Sequence, residues 1–299
     1  MKKNTDLFIL NGLSGQLLNH IFEANHDAGS ILGKVNLILN NLIDVDNFSF
    51  SNGLGGIFWS MELLNQHILK KNNQVLELDQ IDDFLYSINK PNVYDTYRKL
   101  PDLFGQISYL QLRLENRYIN KYKKEPLKYV FLNILRQFLD GVIRKEIKFG
   151  SCLEICIYLL KISFIARIGI QRQRCKEVLE RKIDEILSFF LYNPCFTDKM
   201  NVVYMAKIRE LIALCRSQFF INIDKAKYDF FYNLFFDRDL SNDGDCNFEI
   251  LKKLDTNVGI EISRINLQTI LSDLYLTELL SCVSELKISK YVINTKISC

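Results

Sequence analysis

The stretch that decides the fold is "FSFSNGLGGIFWSMELLNQ" at residues 48–66. Two glycines three apart, Gly53 and Gly56, precede apolar residues at the spacing of a buried helix. Glycine costs a helix about 1 kcal/mol relative to alanine, so glycines at this place need a physical reason. Because glycine has no Cβ, we expect another segment of backbone to approach the start of this helix closely.

Two further segments repeat this pattern, "NGLSG" at 11–15 and "DLFG" at 102–105. Their last glycines, Gly15 and Gly105, lie 41 residues before and 49 residues after Gly56. Each segment begins an apolar helical stretch and leaves room for a second helix before the next one. A period in the forties with two helices per repeat is typical of stacked helical hairpins.

Apolar residues recur at helical spacing through most of the chain, while strand-like alternation is scarce. The fold class predicted is therefore all-α. The predicted helices cover 16–24, 31–43, 57–69, 106–118, 127–143, 152–168, 175–191, 207–219, 227–236 and 261–286. The stretch "KISKYVINTKI" at 287–297 alternates and is compatible with a strand.

Composition excludes several classes of protein. A net charge of +3 from 38 basic and 35 acidic residues does not favour nucleic acid as a partner. The chain has no apolar run of membrane-spanning length, and its eight cysteines form no C-x-x-C pair. From its first residues we expect no secretory signal. We expect a cytoplasmic protein with free thiols, in which Cys152 and Cys156 are buried packing residues rather than metal ligands.

The segments at 11–18, 51–64 and 102–114 resemble the lanthionine synthetase C-like family, whose members repeat G-L-x-G-[IV] at the start of each inner helix. The resemblance is clearest over residues 8–120. It implies one domain over 1–299 that forms an α/α toroid, a double layer of inner and outer helices. The residues to which it gives a structural role are Gly12, Gly15, Gly53, Gly56, Gly105 and Trp59. For Trp59, core packing competes with a role as a substrate platform.

Cyclase members of that family bind one zinc ion through two cysteines and one histidine, and the zinc activates a peptide thiolate that adds to a dehydroamino acid. The first ligand segment corresponds to "NVVYMAK" at 201–207, where Val203 stands in place of the cysteine. The second corresponds to "NDGDCNFE" at 242–249, where Cys246 remains as a vestigial ligand position and Asn247 replaces the histidine.

The general acid and base positions of the family are also changed. Gly150 stands where the resemblance places a further histidine, and Arg98 stands in place of an aspartate. All three histidines, His20, His26 and His67, precede residue 68, so no shift of the alignment supplies a histidine later. We expect neither zinc nor another cofactor.

The catalytic candidates that the resemblance leaves are Tyr204 and Lys199. A zinc site made from Cys246 with Cys215 or Cys282 is the alternative for a metal.

Paired carboxylates offer a different chemistry. Asp82 with Asp83, and Asp243 with Asp245, could serve as the two acids of a carbohydrate-active α/α-barrel enzyme. Both pairs lie in polar contexts typical of loops, so we expect them to be solvated. The basic stretch "KYKKEPLK" at 121–128 is expected to be a solvated helix face.

Three hypotheses follow from the sequence. The first is a zinc-free, cyclase-inactive lanthionine synthetase C-like protein of ribosomal peptide modification. It would act as a scaffold whose partner is a ribosomally synthesised precursor peptide or a peptide-maturation enzyme. The second is an active thioether-forming cyclase with a non-standard site, and the third is the carbohydrate-active enzyme.

Overall fold

The structure is a computed structural model. It describes residues 13–22, 28–42, 45, 47–50, 52–66, 76, 78–89, 99–116, 119–148, 151–167, 169–193, 208, 212 and 224–233. Every regular element within these ranges is a helix, which confirms the all-α prediction for this part of the chain. The closed toroid, and the helix and strand predicted after residue 260, lie beyond what these ranges test.

The described helices are α1 (Leu13–Phe22), α2 (Ala28–Asn40), α3 (Leu54–Leu64), α4 (Asp79–Ile88), α5 (Leu100–Glu115), α6 (Lys121–Arg144), α7 (Cys152–Arg167), α8 (Arg172–Tyr192) and α9 (Lys225–Asn233). Eight of them match predicted helices, and α4 was not predicted. Both α3 and α5 begin several residues earlier than expected. In α5 the reason is Pro101 in the first turn with Asp102, a stronger helix start than the glycine motif that follows.

Buried and half-exposed helices alternate along the chain from α3 to α8. Every residue of α3 is buried, as are 103–113 of α5 and 155–166 of α7. By contrast, α4, α6 and α8 each bury one face and expose the other, as amphipathic helices do. The alternation follows from composition, because "LGGIFWSMELL" in α3 is apolar on all sides whereas α6 and α8 carry charged residues at regular spacing.

The three helices that contain the repeated glycine segments pack in succession. α1 packs against α3, and α3 packs against α5. α3 and α5 run parallel, because Gly55 lies beside Gly105 near their amino ends and Glu62 binds Arg113 near their carboxyl ends.

Contacts divide the chain into two compact units, and among the described residues the division falls between Phe138 and Leu139, inside α6. In the second unit, α7 and α8 pack as a helical hairpin with a short connection. Gly169 has a φ of 85°, a conformation that glycine adopts without a steric penalty, and its N–H bonds the Ala166 carbonyl to end α7. α9 packs on α8, where Phe190 contacts Phe231.

Among the described residues, no helix has the length and apolar character needed to cross a membrane.

Candidate functional site

The chain segment before α3 crosses the amino ends of both α3 and α5. A Cβ built on Gly105 would lie 1.8 Å from the Phe48 carbonyl oxygen, and one built on Gly55 would lie 2.4 Å from the same oxygen. Gly53 is as crowded, because its Cβ would lie 2.7 Å from the Asn47 carbonyl oxygen. Backbone therefore approaches Gly53, Gly55 and Gly105 closely, and Gly55 is a glycine that the sequence analysis did not single out.

Hydrogen bonds hold this crossing in place. The Phe48 N–H donates to Oδ1 of Asp102 at 3.0 Å, and the Leu54 N–H donates to the Asn47 carbonyl oxygen at 2.9 Å. The second bond occupies one of the free donors at the start of α3. Gly15 and Gly56 are both buried, and Gly12 lies outside the described residues.

Aromatic rings fill the space around the crossing. Phe50 meets Trp59 edge-on at 5.3 Å and Phe104 at 5.8 Å between ring centroids. Phe58 likewise meets Phe48 and Tyr109 edge-on. Trp59 is only 2% exposed and packs among these rings.

A buried charged cluster centred on Arg113 of α5 lies near the carboxyl ends of α3 and α5. Its Nη1 lies 3.1 Å from Oε2 of Glu62 on α3, and its Nε lies 2.9 Å from Oδ2 of Asp82 on α4. The side chains of Glu62, Asp82 and Arg113 are 0%, 5% and 6% exposed. One guanidinium therefore joins three helices through two carboxylates, with the fork geometry that arginine favours.

Neutral groups complete the bonding of these carboxylates. Asn116 and Gln66 donate to Oε1 of Glu62 at 2.7 and 2.6 Å. The Tyr109 hydroxyl donates to Oδ1 of Asp82 at 2.7 Å. With both oxygens of each carboxylate engaged, the cluster is a satisfied buried network of the kind that fixes a unique packing.

The edge of the cluster reaches solvent at Asp79. This residue accepts a bond from Nη2 of Arg113 at 3.1 Å and pairs with Lys123 of α6. Asp79 and Lys123 are each nearly half exposed. The network thus extends from the core through α4 to the first turn of α6.

Burial and neighbouring charges shift the pKa values of the residues in this cluster. Burial raises the pKa of the Glu62 and Asp82 carboxyls, and the charge and hydrogen bonds of Arg113 only partly oppose the shift. Burial and the neighbouring Asp82 raise the pKa of Tyr109 well above its usual range. Burial also lowers the pKa of Arg113, but its bond to Asp82 and its other acidic neighbours outweigh this, so the net shift is upward.

Asp82 corrects the sequence analysis. It was expected to be solvated in a loop, but it lies on α4, is buried, and pairs with Arg113, while Asp83 beside it is exposed. The two aspartates therefore do not act as a facing pair of acids. The polar sequence "DQIDDFLYSI" concealed a helix that buries only one narrow face.

Three buried polar atoms of α3 and α5 have no hydrogen-bond partner among the described residues: Nε1 of Trp59, Oγ of Ser108 and Oε1 of Gln111. Ser108 and Gln111 are three apart and so share one face of α5. The three atoms are an N–H donor, a hydroxyl and a carbonyl acceptor. By contrast, the hydroxyl of Ser60, equally buried, bonds the Ile57 carbonyl oxygen within its own helix.

In the second unit, the described cysteines are buried and form no disulfide bond with one another. Cys152 and Cys156 are almost completely inaccessible, as predicted for packing thiols. Burial raises the pKa of Cys152 and of Cys175 to about 12, which keeps both thiols protonated at neutral pH.

Within the described ranges, no three His, Cys, Asp or Glu side chains come together as a metal site. The remaining predicted positions lie outside those ranges: the zinc-ligand positions Val203, Cys246 and Asn247, and the catalytic candidates Tyr204 and Lys199.

No protein-family model matches the chain, and no curated protein or solved structure matches it either.

Proposed function

We propose that this chain is a lanthionine synthetase C-like scaffold of ribosomal peptide modification, free of zinc and inactive as a cyclase. It binds a precursor peptide, or an enzyme that matures one, in the cytoplasm. In this proposal the buried helices α1, α3, α5 and α7 form the inner layer of an α/α toroid, and the amphipathic helices form the outer layer.

The observation that carries the proposal is the parallel pair of α3 and α5. Both helices contain a glycine segment at the amino end, and Gly55 and Gly105 lie side by side beneath the Phe48 carbonyl. The family resemblance implies such parallel inner helices. This geometry supports the α/α frame by giving the glycine segments a packing role.

The loss of catalysis rests on the sequence. A cyclase site needs an imidazole ligand, and the chain has no histidine after His67. Val203 and Asn247 occupy two of the three ligand positions that the resemblance assigns. The missing ligands favour a protein that binds a peptide without catalysing a reaction on it.

Peptide binding is supported by the unpaired polar atoms of Trp59, Ser108 and Gln111. A buried group without a partner costs about 1–3 kcal/mol, so a guest that supplies the missing bonds gains that free energy. Backbone amides of a peptide carry both an acceptor and a donor, the kinds of group that these atoms lack.

The proposal is tested with the natively purified full chain. We expect less than stoichiometric zinc by mass spectrometry, binding of a fluorescent peptide that carries cysteine and dehydroalanine, and no thioether formation in that peptide. Stoichiometric zinc that is lost in Cys246→Ala, together with ring formation, would instead establish the active cyclase. Hydrolysis of a carbohydrate would establish the third hypothesis.

A matched pair of serine variants tests the binding site. Ser108→Ala removes an unpaired hydroxyl, and Ser60→Ala removes one that already bonds its own helix. We expect only Ser108→Ala to weaken peptide binding, and Trp59→Phe to weaken it in the same way. Equal affinities in all variants would show that these atoms do not contact the peptide.

A further inference from the structure

The exposed face of α6 carries a regular basic and aromatic stripe. Lys121 and Tyr122 recur seven residues later as Lys128 and Tyr129, and Arg136 continues the tyrosine row after another seven. Residues seven apart on a helix lie on nearly the same side, separated by two turns. We call these five residues the α6 stripe, and it extends over about 22 Å of helix.

The stripe is exposed, and its cations have no ion-pair partner in the part of the chain that the structure describes. Tyr122 is 88% exposed and Tyr129 is 53% exposed, unusually open for tyrosine side chains. Lys121, Lys128 and Arg136 are also exposed and form no ion pair with the described residues. Between Lys121 and Arg136, Glu125 is the one acidic residue, so the stripe has three cations against one carboxylate.

The placement of Lys121 is not explained by the dipole of α6. The first turn of a helix favours acidic residues, because the amino end of the helix dipole is positive. The first turn of α6 has none and begins with Lys121. A run of lysines at this end raises the positive potential that the stripe presents to a partner.

We propose that the α6 stripe is the docking surface for an acidic amphipathic helix of a partner protein or peptide. In paired helices, the side chains that contact the partner helix recur every seven residues, and the stripe has this period. The cations of the stripe complement glutamate or aspartate on that helix, and the two tyrosines cover its apolar residues.

A nucleic acid fits this surface less well. Proteins that bind single strands use a positively charged groove with stacked aromatic rings, whereas the stripe lies on the convex side of a helix. Three cations also supply few phosphate contacts. The inference deepens the proposed function and rests on it for the class of partner. Its test measures neither zinc nor thioether formation, so the two proposals can fail separately.

The test measures binding to the full chain by fluorescence anisotropy. The probe is a 21-residue helical peptide of three heptads, each with leucine and glutamate on one face. A peptide of the same composition in scrambled order, a 20-nucleotide oligothymidine and phosphatidylserine vesicles serve as competing probes. We expect the heptad peptide to bind and the scrambled peptide to bind about tenfold more weakly.

Charge reversal locates the binding surface. The variant K121E/K128E changes the stripe, and R172E/K225E makes the same charge change at the first residues of α8 and α9, which are equally exposed. We expect the first variant to weaken peptide binding about tenfold and the second to leave it unchanged. Because K121E places an acid in the first turn of α6, the variant should retain its fold, which circular dichroism verifies.

The variant Y122A/Y129A, which removes both rings without changing charge, should also weaken binding. The proposal is overturned if the heptad peptide does not bind, if the scrambled peptide binds equally well, or if both charge variants weaken binding alike. It is also overturned if the oligonucleotide or the vesicles bind more tightly than the heptad peptide and K121E/K128E weakens that binding.

Discussion

Gly55 and Gly105 begin a contact between parallel helices that leaves no room for a side chain. A Cβ on Gly55 would lie 2.6 Å from the Cα of Gly105, and one on Gly105 would lie 1.8 Å from the Phe48 carbonyl oxygen. Non-bonded heavy atoms do not approach this closely, so a side chain at either glycine would force the backbone to shift. The packing of α3 on α5 therefore depends on the absence of both side chains.

Gly105→Ala should therefore destabilise the protein by about 1–3 kcal/mol, the cost of overpacking a tight contact. Urea denaturation followed by circular dichroism measures this change. The matched control is Gly33→Ala in α2, where a Cβ would meet nothing within 4 Å. That exposed helical position should gain about 0.5–1 kcal/mol. Equal effects at the two positions would contradict the packing described for Gly105.

Arg113→Met should destabilise the protein by about 3–5 kcal/mol, because it leaves the buried carboxylates of Glu62 and Asp82 without their cation. The free energy of unfolding at pH 7 measures the loss. In Glu62→Gln/Arg113→Met the loss should be smaller than the sum of the two single changes, since fewer buried charges remain unpaired. Additive losses would show that the two residues do not interact.

The cluster also predicts a dependence of stability on pH. Because burial raises the pKa of Glu62 and Asp82 in the folded state, the folded protein binds more protons than the unfolded chain just above their ordinary pKa values. Their contribution to stability is fully present below those ordinary values and is lost as pH rises through the raised pKa values.

Urea denaturation between about pH 4 and pH 7 tests this dependence. Glu62→Gln has no titratable group at that position, so its stability should fall less steeply with pH than that of the unchanged chain. Asp83→Asn serves as the control, because Asp83 is exposed beside the cluster. A slope unchanged by Glu62→Gln would show that this carboxyl has the same pKa in both states.

Tyr109→Phe should cost about 1–2 kcal/mol, since it removes the donor 2.7 Å from the Asp82 carboxylate but retains the buried ring. Tyr122→Phe is the control at an 88% exposed position and should leave stability unchanged. Thermal unfolding of both variants measures the difference. A loss in Tyr122→Phe as large as that in Tyr109→Phe would contradict the assigned contact.

The sequence predicted those parts of the fold that depend on local pattern. Apolar residues at helical spacing identified α3, α5 and α7, and the repeated glycines suggested close backbone packing at the helix starts. It did not reveal α4, because only Asp82 and Leu85 on that helix are buried.

The charged cluster could not be predicted from local pattern either. Arg113 and its acidic partners are separated by 31 and 51 residues, and each lies in a segment whose own composition gives no indication of the other. A single signal was present in the sequence: Glu62 is a charged residue inside the apolar run "IFWSMELL". A charge in such a place needs a buried counter-ion, but the run does not indicate which residue supplies it.

Every residue of α3 is buried, so its amides have no solvent-exposed side from which local opening could begin. Hydrogen exchange at these amides requires an opening that also separates α5 and releases the segment before α3. The helix that carries the glycine pair should therefore be among the slowest-exchanging parts of the molecule, and its exchange rate should report the cooperative unfolding of the whole first unit.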